Sequence, residues 1–392
     1  MAAEAAAQNG AAVCVADHMP SAARKFLMAG RGGLNLTHSE DLEKFLGRYG
    51  AAAPWLAPHI QSFPPAALID WCEGLGQACF TGSSGRVFPR AMKASPLLRA
   101  WLARLDALGV QFKLRHYWLG FAPDGAARFA TPSGEVTLGA DGYILALGGT
   151  SWPRLGSDGA WPAALPDVTV KPWQPSNGGF TIAWSDHIRQ RFAGTPLKRI
   201  ALSFGSITQR GEAMITEAGL EGGAVYALSA SLRDALALHG TVTLHLDLRP
   251  DMPRADLAAR LAARRGGLSL ANHLRRDAGL APVGIALVQE ALRAGAPGHD
   301  LAGLIKGLPL QLTGCFPLAR AISAAGGLSW SELDENLMLR RRPGVFACGE
   351  MLDWEAPTGG YLLQGCCSTG RAAGLAAARW SSAPETHQRK SC

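Results

Sequence analysis

Residues 342–374, RPGVFACGEMLDWEAPTGGYLLQGCCSTGRAAG, constrain the fold more than any other stretch of this chain. An apolar run over 345–347 is stopped by Gly349, and Glu350 follows where a buried parallel strand would leave its sheet. Pro357, Gly359 and Gly360 then break the chain before a small-residue helix over 361–378, whose first amides are free to face a ligand. Ligands of open α/β sheets sit at the carboxyl ends of such strands. Taken alone, the stretch fits an ordinary strand-turn-helix connection equally well, with its glycines serving the turn.

Two further strand ends of the same kind occur far away in the sequence. Residues 1–9 are helix formers ending at Gly10, and 11–16 read as a strand ending at Asp17. Residues 143–147 read as a strand closing in Gly148 and Gly149. With Gly349 and Glu350, these would share one cofactor crevice. In a dinucleotide fold the acidic residue lies about 20 residues beyond the first glycine of G-x-G-x-x-G. Counting back from Asp17 puts that glycine before Met1, and no such motif occurs elsewhere. The expectation is therefore a chain that begins inside the first helix, without the first strand or the phosphate-binding turn.

Between these ends, 24–38 (RKFLMAGRGGLNLTH) reads as a loop in which Gly30, Gly32 and Gly33 sit among Arg24, Lys25 and Arg31. Such a loop can offer amides and cations to a phosphate, or be a turn with solvated charges. Residues 42–49 and 66–72 read as helices joined by a proline-rich connection over 54–65, and 81–96 as a loop carrying Arg86, Phe88 and Lys93. Ser95 is placed as the cap of a helix with Pro96 at its first position, running to Gly109, followed by strands at 110–114 and 135–138.

From 167 to 248 the period changes to two, in DVTVKP, GFTIAW, RIALSF and TVTLHLDL, which indicates an antiparallel, barrel-like second domain with one helix over 223–239. Residues 251–295 carry Ala, Leu and Arg at helical spacing, 301–312 read as a helix or linker, and the tail from 381 is polar. The domain division is 1–165, first part of the cofactor domain; 166–250, β-rich substrate domain; 251–306, helical insertion; 307–330, return through the β-rich domain; 331–380, second part of the cofactor domain; and 381–392, tail.

Composition narrows the class. Hydrophobic residues make up 48% of the 392 and charged residues 18%, which describes a globular chain with a large core. No apolar run approaches the ~20 residues needed to cross a bilayer, and Met1 is followed by Ala and Glu rather than a basic-then-apolar signal, so the cytoplasm is the expected location. The net charge of +7 suits an anionic ligand, but scattered arginines and few aromatics argue against nucleic acid as the main partner. Eight cysteines without C-x-x-C spacing, and ten histidines without H-x-x-x-H or H-E-x-x-H, give no metal site.

Assembled, these segments resemble the BaiN-like (YhiN-like) family of FAD-dependent flavoproteins, which includes aminoacetone oxidase. RKFLMAGRGGLNLTHSE is similar to the family's glycine-rich segment, GRVFP to its following loop, ILALGGTSWPRLGSDG to its third cofactor strand, and GEMLDWEAPTGGYLLQ to its most distinctive motif. PLKRIALSF, GEAMIT and GLEGGAVYALSA resemble the intervening domain. The resemblance implies an α/β, Rossmann-like FAD-binding domain built from both chain ends, its first strand missing, with an inserted barrel-like domain and a small helical insertion.

It also implies roles. Asp17 would take the adenosine ribose. Gly30, Gly32 and Gly33, with Arg24 and Lys25, would approach the pyrophosphate or flavin, and Gly148 and Gly149 would pass close to the dinucleotide. Glu350, after Gly349, would bind ribitol or phosphate-side groups, and the amides of Gly360, Tyr361 and Leu362 would face the flavin's pyrimidine edge. Arg86, Phe88, Trp152, Trp354, Tyr361 and Gln364 would lie near the isoalloxazine, with Arg86, Asp353, Tyr361 and Gln364 as candidate catalytic residues.

The expected activity is hydride transfer between a small organic substrate and flavin, with NAD(P)H a candidate transient reductant. An amine oxidase of the aminoacetone-oxidase type is one alternative. A flavin-bound interaction protein touching RNA through Arg189, Arg191, Lys198, Arg199 and residues 340–342 is another. A third is a cofactor-poor remnant: about five buried side chains of a central strand at about 2 kcal/mol each come to on the order of 10 kcal/mol, against about 5 to 15 for a whole domain. On that reading the chain as written binds FAD poorly.

Overall fold

The structure is a computed structural model that describes residues 1–30, 32–262 and 267–383. Arg31 and the tail beyond 383 lie outside the described residues. The chain divides into two compact units, one of 1–174 with the residues from 323 onward, the other of 175–322.

The first unit is Rossmann-like, as the sequence indicates. Strand Cys14–Asp17 pairs in parallel with Gln111–Leu114, and strand Val345–Ala347 pairs in parallel with Tyr143–Leu145. Among the described residues these form two separate two-stranded sheets. Helix Ala2–Gln8 packs on the long helix Tyr361–Ser381, and two glycines of the latter permit the approach. A Cβ on Gly374 would stand 2.3 Å from the Ala2 carbonyl oxygen, so only a bare backbone fits there. Glu4, buried on the opposite side, clamps the helix: its carboxylate accepts from the indole N–H of Trp71 (3.0 Å) and Trp101 (2.7 Å) and from Arg104 (3.0 Å).

Several local expectations are corrected. Residues 24–29 form a helix, Arg24–Ala29, rather than a loop, so Arg24 and Lys25 project from its first turn. The proline-rich stretch is a helix, Ala53–Ser62: Pro54 occupies the first turn, where a missing N–H has no intrahelical use, and the buried faces of Leu56 and Ile60 hold the helix despite Pro58. Arg86–Pro89 is a strand, not loop, and pairs antiparallel with Thr37–His38 and Cys79–Thr81. Helix Ala94–Ala107 begins one residue before Ser95, with Lys93 at the cap position, so neither Ser95 nor Pro96 plays its expected part. An antiparallel meander, Tyr117–Phe121, Ala127–Thr131 and Gly134–Leu138, precedes Tyr143–Leu145, and only its last strand was expected.

The second unit contains the barrel. Six antiparallel strands close it in the order Phe180–Ile182, Gly219–Glu221, Ile207–Ile215, Pro196–Phe204, Val242–Asp247, Leu308–Cys315. Leu202, Leu244, Leu308, Leu310 and Leu312 face its core, the period-two burial that closure requires. DVTVKP is not part of it: Val170–Ser176 pairs with Ser323–Leu328 in a separate two-stranded sheet. Residues 308–312, expected as helix or linker, are barrel strand; only 301–306 is helical. The helix over 223–239 is two, Gly223–Tyr226 and Ser229–His239. Helices Arg254–Leu261, Leu270–Asp277 and Pro282–Arg293 make up the helical stretch that follows. No helix among the described residues is long and apolar enough to cross a membrane.

Candidate functional site

Three strand ends converge in the first unit. Beyond Val345–Ala347 the backbone turns at Gly349, whose φ of +79° favours glycine, and its N–H donates to the Thr369 hydroxyl at 3.1 Å. Glu350 follows, buried at 7% exposure. One of its oxygens takes the Lys25 ammonium at 2.5 Å and the other the Ala324 N–H at 3.1 Å. Gly149, beyond the Tyr143–Leu145 strand, lies against it: a Cβ there would stand 3.3 Å from the Glu350 side chain. A Cβ on Gly148 would lie 2.6 Å from the Ser157 hydroxyl, which donates to the Gly149 carbonyl at 2.7 Å and accepts from Lys25 at 3.3 Å. Lys25, Gly148, Gly149, Ser157 and Glu350 are therefore one cluster, assembled from three distant segments.

Asp17 ends its strand with one oxygen accepting the Met19 N–H at 2.9 Å. The loop it opens touches the loop after Gly149, since a Cβ on Gly156 would meet Met19 at 3.0 Å. Arg24 is half-buried, and its guanidinium has no partner among the described residues.

A second cluster surrounds the start of the Tyr361–Ser381 helix. The Tyr361 hydroxyl donates to Glu40 at 2.5 Å, and Arg48 grips the same carboxylate with two N–H groups at 3.0 and 2.7 Å. The Tyr361 ring stacks on His38 with centroids 5.5 Å apart, while its backbone carbonyl accepts from the Tyr49 hydroxyl at 2.7 Å. The Arg48 hydrogen bonds hold the Glu40 carboxyl below its ordinary range. Burial, reinforced by Glu40, pushes the Tyr361 phenol up, so it stays protonated. Gln364 is fully buried, accepting from the Thr37 hydroxyl (2.8 Å) and donating to the Phe63 carbonyl (2.7 Å) and Ser368 (3.1 Å).

The remaining expected residues fall elsewhere in this unit. The Gly360 flank is taken by the chain itself: a Cβ there would meet the Thr37 backbone at 2.5 Å. Leu362 is half-buried against the apolar core. Trp354 is buried at 3% exposure, its indole donating to the Gly349 carbonyl at 2.9 Å and its ring lying over Gly365. Gly30 packs against Ala94, Gly33 against Met92 and Phe88, and Gly32 faces open space. Phe88 stacks on Phe80 at 5.8 Å, Arg86 is half-buried on the same strand, and Trp152 takes a left-handed φ of +60° before a short turn. Asp353 is half-buried, and burial raises its carboxyl pKa, opposed by the charge of Lys171. His38, Glu40 and Ser157 lie within the quoted motifs and Arg48 just beyond one, but none was singled out from the sequence. Two cavities, about 520 Å³ and 250 Å³, lie away from these residues, on the barrel and beside Trp55 and Trp330 respectively.

Comparison with known proteins shows the family. The HI0933-like protein Rossmann domain matches residues 1–376. The chain belongs to the HI0933-like family. Members are FAD-binding, flavin-dependent oxidoreductases. Among similar proteins, the 3-dehydro-bile acid delta(4,6)-reductase of Clostridium scindens is 26% identical, covering 96% of this chain and 95% of that protein. The ribosomal RNA dihydrouridine synthase of Escherichia coli is 25% identical, over 92% and 90%. The 3-ketosteroid-delta4-(5alpha)-dehydrogenase of Rhodococcus jostii has the same fold at a TM-score of 0.50 and 15% identity, over 96% and 94%.

The residues present fit much of FAD. Asp17 has an oxygen to spare for a ribose hydroxyl, Gly148 and Gly149 leave no room for side chains at the crevice, and Arg24 is a free cation for a phosphate. The first amides of the Tyr361–Ser381 helix supply the partial positive charge that suits an anionic flavin edge, worth about 0.3 to 2 kcal/mol.

Proposed function

We propose that this protein is an FAD-dependent reductase that saturates a ring carbon–carbon double bond beside a carbonyl, with NAD(P)H as the source of the hydride. The observation that carries the reading is the cluster of Lys25, Gly148, Gly149, Ser157 and Glu350 at the carboxyl ends of parallel strands, in a family that binds FAD. FAD, when bound, supplies hydride transfer at its N5. The names of the two relatives support the substrate class. A 3-dehydro-bile acid delta(4,6)-reductase and a dihydrouridine synthase both add two hydrogens across a ring double bond conjugated to a carbonyl.

Saturating such a bond takes a hydride at the carbon β to the carbonyl and a proton at the α carbon. The proton must come from a group that holds one near neutral pH. Tyr361, whose phenol is pushed up by burial and by Glu40, meets the requirement and is the candidate donor; burial also raises the Asp353 carboxyl above its ordinary range. The neighbours divide their roles: Arg48 keeps Glu40 ionised as an acceptor, and Glu40 fixes the phenol's orientation.

The test is anaerobic mixing of flavin-loaded protein with NADPH, then with a 4-en-3-one steroid, a uridine-containing RNA or aminoacetone, following flavin absorbance. Bleaching by NADPH and recovery on adding an enone or uridine is expected. Bleaching by aminoacetone alone would make the protein an amine oxidase, and no change with any of them would sink the reading.

A further inference from the structure

We propose that the barrel unit binds the phosphate backbone of RNA through a bulge in its Pro196–Phe204 strand, with Lys198 and Arg199 as the contacting cations. The inference rests on the reading above only for the choice of RNA among polyanions. Residues 175–322 contain sixteen Lys and Arg against eleven Asp and Glu, so this unit holds +5 of the chain's +7.

The bulge gives that charge an address. Leu197 pairs with Ala213 and Ile200 with Gly211, so two residues of one strand, Lys198 and Arg199, oppose the single residue Glu212 of the other. Leu197 and Ile200 are both buried, at 3% and 2% exposure. In a regular strand one of the two residues between them would point into the barrel. The extra residue turns both cations outward instead, side by side and exposed. Arg199 reaches this arrangement at φ +51°, a left-handed conformation that costs a branched or long side chain and that glycine would adopt freely. The left-handed turn at Arg199 is thus the local feature that displays the two adjacent cations.

Neither Lys198 nor Arg199 has a hydrogen bond or ion pair among the described residues, so both are available. They line an open concavity of about 520 Å³ with Arg210, which is held by Asp251 at 2.9 Å and the Pro250 carbonyl at 2.7 Å. Glu212 also lines it and opposes an anion. A spread-out polyanion that runs past the rim meets the two free cations while its other phosphates stay clear of Glu212. A compact dianion in the concavity would sit against that carboxylate.

The test is fluorescence anisotropy of a labelled RNA hairpin with the full chain, titrated from about 50 to 300 mM salt. It needs no flavin, so its failure and that of the reductase reading are distinguishable. The double variant Lys198→Ala/Arg199→Gly is expected to bind at least tenfold more weakly at low salt, with a log–log salt slope shallower by about two. Glycine relieves the strain, so its unfolding midpoint should hold or rise by about 2–4 °C. Glu212→Gln is expected to tighten binding, and Arg293→Ala, an exposed cation on another helix of the unit, to leave it unchanged. Equal affinity and slope for the double variant and the wild type would overturn the assignment. So would an equal loss in Arg293→Ala, or equally tight binding of a DNA hairpin of the same length.

Discussion

Replacing Lys25 by Met tests whether the crevice is held together by charge. The Lys25 ammonium is 2.5 Å from a Glu350 oxygen, with side-chain exposures of 28% and 7%. Without it the buried carboxylate keeps one donor, the Ala324 N–H at 3.1 Å. Breaking a buried pair from one side typically costs about 3 to 5 kcal/mol, and the partial exposure of Lys25 lets water return, which lowers the figure to about 2 to 3 kcal/mol. Glu350→Gln leaves a lysine that can reach solvent, and should cost about 1 kcal/mol. The double variant, with neither charge, should recover most of the loss, giving a coupling of about 2 kcal/mol. Urea unfolding followed by tryptophan fluorescence reads this directly, and the change must fall on the midpoint rather than the slope. If the double variant is no more stable than the sum of the two single losses predicts, Lys25 and Glu350 are not coupled and the described crevice is wrong.

Three further outcomes follow from the geometry. Glu40 has its carboxyl held below its ordinary value of 4.5 by Arg48 first and then, after an opposing effect of burial, by Tyr361. A depressed folded-state pKa stabilises above the unfolded value and is lost as pH falls through the folded one. Glu40→Gln should therefore cost about 1 kcal/mol at neutral pH, because Arg48 is half exposed, with the deficit shrinking below pH 4.5 in acid titrations of stability; a pH-independent deficit would contradict this. Glu4→Ala strands two indole N–H groups and Arg104 around a buried vacancy and should cost about 3 to 5 kcal/mol, with faster amide exchange in Ala2–Gln8; a loss under about 1 kcal/mol would show that the clamp is not engaged. Among the described cysteines only Cys14 is exposed, whereas burial raises the thiols of Cys348 to about 12 and Cys367 to about 11. Thiol labelling of the folded chain should lose one fast-reacting group in Cys14→Ser and be unaffected by Cys367→Ser.

What the sequence made legible was local punctuation. Glycine after an apolar run marks a strand end because the backbone conformation it adopts, such as φ +79° at Gly349, excludes most side chains, and this located the ends at Gly148 and Gly349. The alternation in RIALSF and TVTLHLDL gave the barrel its antiparallel strands for the same kind of reason, since a closed barrel needs every second side chain inside. The errors lie where one residue type sends two messages. Pro54 and Pro58 read as breakers, yet the first helical turn tolerates proline. Pro309 hid the alternation of Leu308, Leu310 and Leu312. Pairings across the chain left no trace in spacing at all: Lys25 and Glu350 are 325 positions apart, and Glu40 and Tyr361 are 321.

That separation bears on how the site can work. A Rossmann-like crevice made from local turns would be rigid wherever its glycines are, but here Glu350 is held by Lys25 from 325 positions away and Glu40 by Arg48 eight residues on. Both ion pairs fix the long helix at its start and along its flank: Glu40 through the Tyr361 hydroxyl, and Glu350 through the turn that donates from Gly349 to Thr369. The helix whose first amides would face the flavin's edge on the proposed reading is thus oriented by charges, not only by the apolar contacts of Ala373, Ala376 and Ala377. A change at Lys25 or Arg48 should therefore alter the reduction potential of bound flavin even though neither side chain need touch the isoalloxazine, because a shift of the helix moves the partial positive charge beside the ring. Potentiometric titration of Arg48→Met and Lys25→Met against wild type separates the two accounts. Unchanged potentials with lowered stability would leave both pairs as scaffolding alone.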